Sequence, residues 1–60
     1  MSDYRQLVEE SIQKCESSAA GLRVAAKQVA NNTAKNSFEQ AAKELEETVS
    51  KCKIALKQLY

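Results

Sequence analysis

The chain has 60 residues, nine of them basic and eight acidic, with no histidine, no proline and a single glycine. A net charge of +1 leaves no basic face for phosphates and no acidic excess that would hold the chain disordered, so nucleic acid is not expected as a partner. The punctuation of a multi-stranded fold is missing, and no apolar run approaches the roughly 20 residues of a membrane span.

The chain opens with Met1-Ser2-Asp3-Tyr4, which lacks the basic and then apolar order of a secretion signal. A cytoplasmic protein with Cys15 and Cys52 as reduced thiols is therefore expected, and a membrane role is not. Ser2 is a candidate cap for the first helix, with Asp3 near its positive end. From there Val8, Cys15, Leu22 and Val29 recur every seven residues. Tyr4 leads the row, and Ser11/Ile12, Ser18/Ala19 and Ala25/Ala26 fill the positions between. This is an apolar stripe of a, d and e heptad positions, which predicts helix 1 over about residues 3–31.

Asn31-Asn32-Thr33 breaks the pattern. Asparagine tolerates the left-handed backbone that ends a helix, and Asn or Thr caps the next one. Ser37 with Gln40 offers a rival capping box further on. The second run repeats the first: Phe38, Leu45, Cys52 and Leu59 are seven apart, and Ala34, Ala41/Ala42, Thr48/Val49 and Ala55/Leu56 lie between. Helix 2 is expected over about residues 33–59. The connection is too short for anything but an antiparallel hairpin. Pairing residues whose numbers total about 67 sets Val8 beside Leu59, Cys15 beside Cys52, Leu22 beside Leu45 and Val29 beside Phe38. It also brings Asp3, Glu9, Glu10 and Glu16 to the end that holds Lys51, Lys53 and Lys57, and Arg23, Lys27 and Lys35 to Glu39, Glu44, Glu46 and Glu47.

The whole of 1–60 is then one all-α helical-hairpin domain. A chain this short buries only about 60% of its unfolded surface, so its core is marginal without a disulfide, a metal or a partner. The stripe is wide, because Ile12, Ala19, Ala26, Ala42, Val49 and Leu56 extend it, and a two-helix seam is expected to leave part of that face wet, while Ala25, Ala26, Ala41 and Ala42 would let the helices approach closely near the turn. A homodimer closing into a four-helix bundle is the simplest cover, and a different helical protein is the competitor. The expected core and interface residues are Val8, Ile12, Cys15, Leu22, Val29, Phe38, Leu45, Val49, Cys52, Leu56 and Leu59.

No residue set reads as catalytic. Histidine is absent, so the usual neutral-pH acid–base agent is missing, and there is no Gly-rich phosphate loop and no Glu-x-x-His metal motif. No cofactor is expected. Cys15 and Cys52 allow three readings: two small buried hydrophobes, a disulfide within the hairpin, or a thiolate metal site assembled by a dimer. The expectation is a non-enzymatic, self-associating interaction or scaffold module. The alternative is a thiol-based metal-binding or redox protein that uses Cys15 and Cys52.

The segment Val8–Leu59 resembles a family of very short, uncharacterised helical proteins of endospore-forming bacteria. The resemblance lies in Leu7-Val8, Ser11-Ile12, Ala20 and Leu22, in the asparagine turn, in Ala34-Lys35 with Phe38-Glu39-Gln40-Ala41-Ala42, and in the run Leu45–Leu59. It implies a bacterial domain of unknown function connected with sporulation, and it carries no catalytic residues over. Family members often continue past the second helix in a polar tail, and paired cysteines are not their hallmark.

Overall fold

A computed structural model describes residues 4–59. It contains helix α1, Tyr4–Gln28, and helix α2, Asn32–Gln58, packed side by side as an antiparallel hairpin. The expected cap at Ser2 and Asp3 lies outside the described residues. The Cα trace measures 49 × 15 × 10 Å, which is one layer of two helices.

Helix α1 stops three residues earlier than its apolar pattern, with Lys27 in its last turn, where a cation suits the negative end of the helix. Val29, expected in the helix, lies in the connection. The reason is Asn31, which caps α2. Its backbone is extended (φ −76°, ψ 117°), and its side-chain Oδ1 accepts the Ala34 N–H at 2.9 Å. Its carbonyl accepts the Lys35 N–H at 2.9 Å. A residue in that conformation cannot also continue α1. The left-handed asparagine expected at the break is not adopted, since no described residue other than glycine has positive φ. Ser37 and Gln40 sit inside α2, so their capping box is not used.

The register follows from two ion pairs between the helices. Arg23 meets Glu46 at 2.6 Å and Glu16 meets Lys53 at 3.4 Å, and the residue numbers of each pair total 69. This is the charge pairing expected from the sequence. The centre of the seam differs from expectation. Among the described residues the buried side chains are Ile12, Ala19, Ala26, Ala42 and Val49, the positions that widen the stripe, with Ala26 and Ala42 beside the turn as expected. The bulky rows at Val8, Cys15, Leu22, Val29 and at Phe38, Leu45, Cys52 are only half-buried. Small side chains let two helices approach most closely, so alanine occupies the line of contact and the larger residues flank it. Ala26 and Ala42, beside the turn, are the most completely buried of these.

Candidate interaction face

Seven-residue rows run along each helix at fixed angles to the line of contact. Taking the Ile12 row as central, the row of Glu16 and Arg23 lies about 50° to one side and the row of Val8, Cys15 and Leu22 about 50° to the other. Helix α2 repeats this, with Ala42, Val49 and Leu56 central, Glu46 and Lys53 on one flank, and Phe38, Leu45 and Cys52 on the other. Both ion pairs join like-placed rows, so the ionic flanks of the two helices share one face of the layer. The bulky apolar flanks must then share the opposite face.

The two faces differ in chemistry. On the ionic face Arg23 donates to Glu46 through Nε at 3.1 Å and through a terminal nitrogen at 2.6 Å, a two-pronged pair. The hydrogen bond and the charge of Glu46 raise the Arg23 pKa above its usual value, and the Arg23 hydrogen bond holds the Glu46 carboxyl below its own. Lys53 donates to Glu16 at 3.4 Å.

On the apolar face no charge interrupts four adjacent rows. Val8, Cys15, Leu22 and Val29 stand beside Tyr4, Ser11, Ser18 and Ala25 on α1. Phe38, Leu45, Cys52 and Leu59 stand beside Ala34, Ala41, Thr48 and Ala55 on α2. The Ser11 and Thr48 hydroxyls are turned back onto their own helix. Ser11 Oγ donates to the Leu7 carbonyl at 2.8 Å, and Thr48 Oγ1 donates to the Glu44 carbonyl at 3.0 Å. Covering them leaves no donor stranded.

Of the residues expected to form core and interface, Ile12 and Val49 are in the seam. Val8, Cys15, Leu22, Val29, Phe38, Leu45, Cys52 and Leu56 are half-buried, and Leu59 is 52% exposed. Ala19, Ala26 and Ala42 carry the seam and are missing from that expected set. Their signal was position, because each lies three or four residues from a bulky neighbour on either side. Val24 and Ile54 are exposed singly, away from the apolar face. The two cysteines are free and half-buried. Among the described residues no three side chains of metal-ligating type come together. None of the described helices is long and apolar enough to cross a membrane.

The chain exposes 4708 Å². A compact monomer of 6.7 kDa exposes about 3900 Å². The excess, roughly 800 Å², belongs to the elongated shape of a two-helix layer.

Comparison with family models, with curated proteins and with solved structures gives no match to this chain. The molecule is defined by its own geometry: a two-helix layer with one face closed by ion pairs and one face open and uncharged.

Proposed function

We propose that this protein is a non-enzymatic interaction module that self-associates through its apolar face, two hairpins closing into a four-helix bundle. The carrying observation is the contrast between the faces. The Arg23–Glu46 and Glu16–Lys53 pairs between the helices lie on one side, and the other offers half-buried Val, Leu, Phe and Cys side chains among small uncharged ones. A contiguous apolar face of this kind marks an interaction site. A second copy suits it because the face carries no charge to be left unpaired when two such faces meet.

Sedimentation equilibrium of the full chain tests this. The expected mass is twice the chain's 6.7 kDa at micromolar concentration, with Leu45→Lys shifting the mass to that of the monomer. A helical monomer at that concentration would remove the proposal.

A further inference from the structure

Resting on self-association, we infer that the second copy lies antiparallel to the first, its turn beside the open end of its partner, with each helix stacked on its own counterpart. Two closed two-fold arrangements cover the apolar face completely. One places the turns at opposite ends, so that α1 stacks on α1 and α2 on α2. The other places the turns together, so that α1 stacks on α2. Both keep neighbouring helices antiparallel, and they differ in which side chains meet.

Charge separates them. Next outward from the apolar face runs a rim row: Leu7, Lys14, Gly21 and Gln28 on α1, and Ser37, Glu44, Lys51 and Gln58 on α2. In the hairpin the ionic row flanks the seam just as this rim would flank a second seam. With the turns opposed and all four levels overlapping, Glu44 of each copy meets Lys51 of the other. This makes two opposite-charge pairs. Lys14 then faces Gly21, where a Cβ would find nothing within 4 Å, leaving room for the lysine stem. With the turns together, Lys14 meets Lys51 twice, and Glu44 faces Gly21. Like charges at an interface rim select against that pairing.

Volume separates them in the same direction. Along the apolar face the rows nearest the ion-pair register bring Val29 to Phe38, Leu22 to Leu45, Cys15 to Cys52 and Val8 to Leu59, each pair totalling 67 against 69 for the ion pairs. Opposed turns stack Cys15 on Leu22 and Cys52 on Leu45, small on large, which fills a layer without voids. Turns together stack four cysteines at one level and four leucines at the next. The antiparallel arrangement also keeps the two cysteine pairs one heptad apart, about 10 Å along the axis. That is too far for one metal ion with sulfur ligands at about 2.3 Å.

Charge reversal on the full chain reads the arrangement, because Glu44 and Lys51 are both exposed on α2 and neither belongs to the ion pairs between the helices, Glu44 accepting only a long hydrogen bond from Gln40 Nε2 at 3.4 Å. Dimer dissociation constants are measured by sedimentation for the natural chain and for Glu44→Lys, Lys51→Glu and the double exchange. Antiparallel stacking predicts that each single change weakens the dimer about three- to tenfold, that the exchange restores it, and that high salt erases the differences. A tighter dimer with Lys51→Glu, or no change with either single variant, overturns the arrangement while leaving self-association standing. So does one zinc ion held by four thiolates per dimer. A natural chain that sediments as a monomer removes both.

Discussion

At the scale of single residues, Asn31 and the Arg23–Glu46 pair carry more than their neighbours. Asn31 satisfies a helix-end N–H that has no partner inside α2, and its extended backbone sets where α1 must stop. Asn31→Ala is expected to destabilise the protein by about 1 kcal/mol and to lower the thermal midpoint by roughly 4–8 °C, whereas Asn31→Ser, which supplies an equivalent acceptor, stays close to the natural value. Thermal denaturation followed by circular dichroism checks it. Glu46 gives a pH signature. Its carboxyl lies below its ordinary value of 4.5 in the folded chain, mainly through the Arg23 hydrogen bond. A lowered folded pKa contributes stability that is present above the ordinary value and is lost as the pH falls through the folded one. Arg23 keeps its charge throughout. The natural chain should therefore be more stable than Glu46→Gln at pH 7, with the difference shrinking as the pH falls below 4.5. A difference that does not vary with pH would mean the pair contributes nothing to folding.

At the scale of the helices, the seam is set by alanine. Ala26 and Ala42 are wholly buried beside the turn. Ala26→Leu adds three carbons to a line of contact with no room for them and is expected to cost about 1–3 kcal/mol, measured by urea denaturation. Gly21→Ala goes the other way. An added Cβ at Gly21 has nothing within 4 Å, and a helix-interior glycine costs about 0.5–1 kcal/mol relative to alanine, so the variant should be more stable by about that amount. The two helices, their antiparallel pairing and their charge register were legible in the sequence, because seven-residue recurrence and opposite charges need only geometry to read. Which row lay at the centre was not. Size ranks Val8, Cys15, Leu22 and Val29 above Ile12, Ala19 and Ala26, so the bulky row reads as core. Two helices alone cannot surround a bulky row. They close on the small one and leave the large side chains along its edge, and that preference belongs to a pair of helices rather than to either helix read separately. The end of α1 was misplaced for a related reason: Val29 continues the apolar pattern, but the capping geometry of Asn31 takes the backbone elsewhere.

At the scale of the whole molecule, the thinness of the layer governs stability. With a Cα thickness of 10 Å, the flanking side chains meet water on one side, and among the described residues the buried side chains number two branched aliphatics and three alanines. A branched aliphatic contributes about 1.5–3 kcal/mol on full burial and an alanine methyl far less, against a backbone ordering cost of about 1–2 kcal/mol per residue. Covering Leu22, Leu45, Val8 and Phe38 adds a second core comparable to the first. Folding and association should then be linked, so that unfolding takes a dimer to two separate chains and the thermal midpoint rises with protein concentration. Each tenfold increase in concentration is equivalent to about 1.4 kcal/mol, which for a chain of this size corresponds to a rise of several degrees. Denaturation at three concentrations spanning a hundredfold measures it directly. Leu45→Lys, which places a charge in the middle of the uncharged face, should give a lower midpoint that no longer depends on concentration. If the natural chain already shows a fixed midpoint over that range, its ten-ångström layer stands alone and the open face has another use.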